Sequence, residues 1–544
     1  MALPAPAIPR PQPRPSASRD QRSSQRGSPH PSGNLFTREQ ISGDTMLGCD
    51  VVVVGSGAGG ATLGAELAEG GLDVIILEEG RYFTTADFGT DATAAARAMY
   101  RDGGATMALG NPPVLFQEGS LVGGSSVLNG GMSWRTPERI LDRWHREEGV
   151  AAITAKEMEP YFERVERRIH VSYQDPETIG RDNQLLKEGA DAKGWEVIPN
   201  RRNTVHCAGS NNCAFGCPTG AKQSTLVTYI PRALHFGARL YSDLRVTEIM
   251  RHGKRATGVR ARVVRGDKSL GPKVTVRAKL VVVAGGSMQT PAILLGSGFA
   301  SRSGMIGKNL SLHPNCKLVA LFDEEVRGWE GTHQAYQVRE FRDEGFLFAA
   351  VNIPPSVIAM TTPLHGAELG ELLADYRHTV VAGMLVEDTN TGRVRRGPGG
   401  RAIATYQLND FDAERLKRGA ALLSELLFTA GARRILLPFH GQFHPGGKAG
   451  ELLGADDIRN IFRQPIPKSS MEVVTVHLMG TARMGGDPVH AVTDSFGMVH
   501  DAAGLAVCDA SLFPSPIGVN PCETIQALAT RNAAHILDQQ RRYL

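Results

Sequence analysis

The sequence has no apolar run approaching the roughly 20 residues a membrane-spanning helix needs; its most hydrophobic stretches, DVVVVG, LDVIILEEG and KLVVVAGG, are strand-length. It also lacks GxSxG, HExxH and GxxxxGKS/T, the local signatures of serine hydrolases, zinc proteases and P-loop enzymes. Charge excess is small, +4 over 544 residues. The basic residues are scattered rather than striped, so nucleic-acid binding has no electrostatic footprint. Seven cysteines are an odd number, and Cys49, Cys316, Cys508 and Cys522 stand alone in sequence. That distribution does not suit a secreted disulfide framework and favours a reducing, cytoplasmic compartment.

What is present points to a large α/β protein. At 544 residues and 41% hydrophobic content the chain exceeds one ordinary domain, and two intertwined domains are expected. Residues 1–45 are rich in Pro, Ser and Arg with almost no aliphatic cluster; they read as a disordered tail, without the apolar core of a signal peptide. From Asp50, DVVVVGSGAGGATLGAELAEGGLDVIILEEG reads strand, glycine turn, helix, strand.

Within that unit Gly55, Gly57 and Gly60 form GxGxxG between strand and helix, and Glu78 closes the next strand. Such glycines let the backbone approach a pyrophosphate at a helix N-terminus, while the acid accepts from a ribose 2′-hydroxyl and disfavours a 2′-phosphate. FAD and NAD both satisfy this pattern.

Two further blocks carry a family resemblance. GSLVGGSSVLNGGMSWRTP (119–137) resembles the flavin-contacting segment of the glucose-methanol-choline (GMC) oxidoreductases, and HLMGTARMGGDP with VCDASLFPSPIGVNPCETIQALATRNAAHIL resembles that family's closing signature. The resemblance implies FAD, a Rossmann-like FAD-binding domain built from several segments, and a substrate domain with a mixed sheet flanked by helices. Residues 46–140, 205–310 and 471–544 would form the first, 141–204 and 311–470 the second. It further implies that Gly124, Ser125 and Asn129 line the flavin, that a backbone group of Val246 meets adenine, and that Asp509 meets the FAD through its carboxylate or backbone. Asn520 and Pro521 would lie at the pyrimidine end of the ring. Gly285, with Gly286, reads as a second close approach after LVVVA.

Flavin-dependent alcohol oxidation needs an acceptor for the hydroxyl proton and a group that holds the oxygen. His477 matches the family's active-site histidine and Asn520 its partner; the first is expected to act as base, the second as a hydrogen-bonding anchor that cannot itself take a proton. His313 and His500 read as ordinary core or surface histidines. The expected partners are a small-molecule alcohol, bulky and hydrophobic given the apolar EGFLFAAVNIPPSVIAM, and an electron acceptor such as oxygen, a quinone or a cytochrome. A sugar dehydrogenase, and a lyase in which the FAD is not reduced, are the alternatives.

Cys207, Cys213 and Cys217, in HCAGSNNCAFGCPTG, remain open. Zinc would want a fourth ligand that the adjacent His206 is poorly placed to supply, and disulfides would leave one thiol over. Three thiolates suit an iron–sulfur cluster lacking one corner. The loop resembles that of FAD glucose dehydrogenases carrying a 3Fe-4S cluster; it is also similar to the cysteine-rich segment of long-chain alcohol oxidases, which implies no cluster.

Overall fold

The structure, a computed structural model, describes residues 33–362, 364–441 and 450–544. Two sheets organise it. The first has strand order Leu35–Phe36, Arg239–Tyr241, Val74–Leu77, Thr45–Val54, Leu270–Val283, Arg255–Val264, Leu244–His252, with Leu505–Val507 also paired to Leu270–Val283. Its central strands run parallel in register, Val51 opposite both Val74 and Leu280. They read as continuous Val/Ile/Leu because both faces are buried. Helix Ala58–Glu69 follows the first glycine turn and packs against the closing helix Cys522–Asp538.

The second sheet is largely antiparallel, with strand order Thr106–Ala108, Val114–Phe116, Val473–Thr475, Asn315–Leu321, Thr379–Val386, Phe346–Ala350, Tyr336–Val338, Val197–Pro199. Helices Arg181–Ala192 and Asp410–Thr429 cover one face, and Leu185, Leu186, Leu416, Leu423 and Leu427 join its core.

Three expectations need correction. Residues 1–32 lie outside the described residues, but the rest of the expected tail is ordered: Leu35–Phe36 pairs in parallel with Leu240 and Tyr241, and Leu35 is buried. Helices Glu138–Glu148 and Ala155–Ile169, expected in the substrate domain, bury Trp144, Phe162 and Ile169 in the first core because their apolar stripes face the FAD-side helices. Conversely Thr106–Ala108, Val114–Phe116 and Val473–Thr475, expected in the FAD domain, belong to the second sheet, where Val114–Phe116 and Val473–Thr475 pair in parallel across more than three hundred residues of chain. Among the described residues no helix is long and apolar enough to cross a membrane.

Candidate active site

The two sheets meet at a cavity of about 480 Å³, within the range usual for cofactor and ligand sites. One side is built from the glycine turn. Gly55 has φ +103°, and a Cβ there would fall 2.3 Å from Ala284 O; Gly60 abuts Gly55 O and packs without lining the cavity. Gly57 differs, because a Cβ on it would meet no protein atom, so packing does not demand glycine there. It caps the helix N-terminus without a side-chain cap and faces the cavity. An open glycine at an uncapped, positively polarised helix end is the cradle a pyrophosphate needs.

Ser56 ties this turn to its neighbours. Its hydroxyl donates to Glu78 Oε2 at 2.7 Å and accepts from Gly123 N–H at 3.0 Å. Glu78 also accepts from Ser56 N–H and Gly80 N–H and lines the cavity; burial raises its pKa against these bonds. Gly124, Ser125, Asn129, Val246, Gly285, Gly286, Asp509, Asn520 and Pro521 all line the same space. Val246 sits where pairing to the next strand slips by one residue, a bulge that interrupts the ladder beside the cavity. Asp509 is committed elsewhere: one carboxylate oxygen accepts from Gly286 N–H and Thr290 Oγ1, the other from Ser511 N–H and its hydroxyl. With both oxygens occupied, the backbone is what Asp509 has left for a ligand. These residues fit an FAD: open backbone at the helix end, an acid on the adjoining strand, and the start of helix Cys522–Asp538 after Pro521.

On the other side, His477 and Asn520 come together although 43 positions apart, Asn520 Nδ2 lying 3.3 Å from His477 Nε2. The second ring nitrogen, Nδ1, lies 3.2 Å from Nδ1 of His313. His313 Nε2 in turn accepts from the N–H groups of Ile517 (3.3 Å) and Gly518 (3.1 Å). Burial pushes His313 down to about 3 and, with the neighbouring His313 and Lys317, pushes His477 well below the usual histidine range, so both rings are neutral. Because two donors occupy His313 Nε2, its proton sits on Nδ1 and points at His477 Nδ1. His477 then carries its own proton on Nε2, facing the cavity, and the Asn520 amide turns its Oδ1 rather than its NH2 toward that proton. The reading of His313 as an ordinary core histidine is therefore corrected. His500, by contrast, meets Gly485 O and does not line the cavity.

The sequence reading also missed Asn315 and Lys317, which line the cavity from the second sheet together with His333 and Gln334. Their alternation in NCKLVAL puts them on one strand face, but nothing local says that this face opens onto a cavity.

Cys207, Cys213 and Cys217 line a separate small cavity with Thr332 and His333. Between the last two, Ala214 and Phe215 line the large cavity, so the cysteine loop abuts the cofactor side. Every sulfur has a polar neighbour: Cys207 meets Thr332 Oγ1 (3.5 Å), Arg202 donates to Cys213 (3.4 Å), and Lys222 N–H donates to Cys217 (3.4 Å). Burial would raise the Cys217 thiol, but the Thr219 hydroxyl and that N–H outweigh it and draw it below its ordinary value. Arg202 and Lys222 are themselves almost fully buried. The Lys222 ammonium, pushed down to about 8 by burial, donates to Val127 O, Asn129 O and Cys213 O. Two buried cations beside three thiols fit thiolates or an anionic cluster, since uncompensated buried charge costs several kcal/mol. Among the described residues no group of three or more His, Cys, Asp or Glu is placed to hold a metal ion, these three cysteines included.

A nucleotide-cradling α/β domain meets a mixed sheet at one cavity, with a His–Asn pair at the junction, the arrangement of a flavoprotein oxidoreductase. GMC oxidoreductase family models match residues 96–315 and 389–529, and the chain belongs to that family. It is an FAD-dependent oxidoreductase acting on CH–OH donors. It is 34% identical over 501 residues to an uncharacterised GMC-type oxidoreductase of Mycobacterium tuberculosis, covering 92% of this chain and 77% of the relative. It is 28% identical over 531 residues to a long-chain-alcohol oxidase of Arabidopsis thaliana, covering 91% of this chain and 68% of that protein. Among solved structures, a pyridoxine 4-oxidase superposes with TM-score 0.67 at 19% identity, over 90% of this chain and 99% of the other.

Proposed function

We propose that the enzyme oxidises a bulky, largely hydrophobic alcohol to a carbonyl, with His477 and Asn520 handling the hydroxyl. The 3.3 Å contact between these side chains, at the junction of the two halves of the cavity, carries this reading. Bound FAD supplies a hydride acceptor at its N5. In the resting pair His477 Nε2–H donates to the substrate oxygen beside Asn520. To take the hydroxyl proton, Nε2 must present its lone pair. His477 Nε2 releases its own proton to water, the proton between the rings passes to His477 Nδ1, and His313 takes one from water at Nε2; both rings stay neutral, and His313 no longer accepts from Ile517 and Gly518, at about 1 kcal/mol each. That cost is within reach of substrate binding.

The apolar wall of Leu347, Ala349, Val351, Leu385 and Val474 supports a hydrophobic substrate body, as does the likeness to a long-chain-alcohol oxidase. Anaerobic mixing with fatty, aromatic, sterol and sugar alcohols tests the reading: one class bleaches the flavin absorbance, and failure of all of them overturns it. A second reading, a sugar dehydrogenase, draws on the cysteine loop. There Cys207, Cys213 and Cys217 would hold a 3Fe-4S cluster, whose chemistry is one-electron transfer toward an external oxygen, quinone or cytochrome.

A further inference from the structure

Strand Asn315–Leu321 alternates between two environments. Cys316 and Leu318 point into the core behind the sheet, whereas Asn315 and Lys317 face the cavity, about 7 Å apart along the strand. Directly across from Lys317 is Gly383. A Cβ on that glycine would lie 3.0 Å from Asn315 Oδ1 and 3.2 Å from Lys317 Cγ, so the missing side chain leaves room for both.

Lys317 has no hydrogen bond and no ion pair with any described residue. The cavity residues contributed by 313–385 and 474–478 include this one lysine and no carboxylate. Burial pushes its ammonium down to about 8, opposed only by the neighbouring Cys316 thiol and by no carboxylate. Asn315 adds a second polar group on the same face, an amide whose NH2 can donate to an anion. A desolvated cation kept without a counter-ion is costly in a folded protein. Around it the lining is apolar: Leu347, Ala349, Val351 and Leu385.

We infer that Lys317, with Asn315, anchors a carboxylate at the far end of the substrate, making the substrate class a hydroxy acid with an apolar body. This rests on the alcohol-oxidase reading above and narrows it. One ammonium and one amide match a single-charge carboxylate; a phosphate dianion calls for more donors.

The test uses the full-length holoenzyme and matched pairs, an ω-hydroxy carboxylate against the primary alcohol of equal chain length. Wild type should favour the hydroxy acid in kcat/KM by about 10- to 100-fold, the weight of a charge-assisted hydrogen bond. Lys317→Met should bring the ratio to about 1, mostly through KM, and Lys317→Arg should keep the preference. A wild type without preference, or a ratio unmoved in Lys317→Met, overturns the inference. Octanoate titration, read in the flavin absorbance, gives a second readout independent of turnover: Lys317→Met should bind it at least about 10-fold more weakly, and equal affinity overturns the inference too. Flavin bleaching by neutral alcohols alone would sink the carboxylate anchor and leave alcohol oxidation standing. Octanoate binding through Lys317 with no alcohol bleaching the flavin would sink alcohol oxidation, and with it the hydroxy-acid substrate.

Discussion

Nδ1 of His313 lies 3.2 Å from Nδ1 of His477, with the rings at 89°, so one proton fits between them and two do not. His313 thus sets which nitrogen of His477 is protonated and opposes a positive charge on it. Burial is the larger cause of the depressed His477 pKa and His313 the next, so replacing His313 with Gln lets that pKa rise part of the way toward its ordinary value. Anaerobic stopped-flow flavin reduction across pH 5–9 should then show an acid limb closer to neutrality than in wild type, with a rate lower by about 10²-fold. An unmoved limb would reduce His313 to a packing residue.

His477→Ala should retain FAD, which is held by the glycine turn and its surroundings, while alcohol-driven flavin reduction falls by on the order of 10²- to 10⁴-fold. Asn520→Ala should cost less, about 10- to 100-fold, because it removes one hydrogen bond to an oxygen that gains charge. Flavin content by absorbance separates these losses from a failure to bind cofactor. Equal rates in His477→Ala and wild type would argue for a protein that passes electrons without oxidising an alcohol itself.

Cys213 accepts a hydrogen bond from Arg202, while its backbone carbonyl takes one from Lys222. If the loop holds a cluster, anaerobically purified protein contains about three irons per chain and a paramagnetic signal when oxidised. Cys213→Ser should lose both, keep FAD and still be reduced by substrate, but pass electrons to an external acceptor more slowly. Flavin without iron in the wild type would remove the relay.

The nucleotide half was readable because each requirement is local. Gly55, Gly57 and Gly60 occupy three fixed steps of one turn; packing requires the first and third, and the second leaves the helix end open to the cavity. His477 and Asn520 were readable only through motifs, since a 43-residue separation carries no geometry. His313, Asn315 and Lys317 were not, because alternation tells which residues share a face but not what lies in front of it. On one strand, Asn315 and Lys317 meet a cavity while Val319 and Leu321 meet a packed cluster. The domain boundaries shifted for a related reason: Val114–Phe116 and Val473–Thr475 pair across more than three hundred residues of chain, and no local pattern announces a partner that distant.

Asp182 offers a test of stability independent of catalysis. It lies in the first turn of helix Arg181–Ala192, is 1% exposed, and neither carboxylate oxygen makes a well-formed hydrogen bond, the neighbouring Asn183 coming nearest to one. Burial raises its pKa to about 7 from 3.8, against partial opposition from Asn183. The folded protein therefore holds a proton that the unfolded chain releases. The stability this contributes is fully present below about pH 3.8 and is lost as pH rises through about 7, at most about 4 kcal/mol in total. Asp182→Asn has nothing to ionise. Thermal melts from pH 5 to pH 8.5 should show the wild type losing Tm relative to Asp182→Asn as pH rises, and a difference that stays constant with pH would mean that Asp182 is already ionised in the fold.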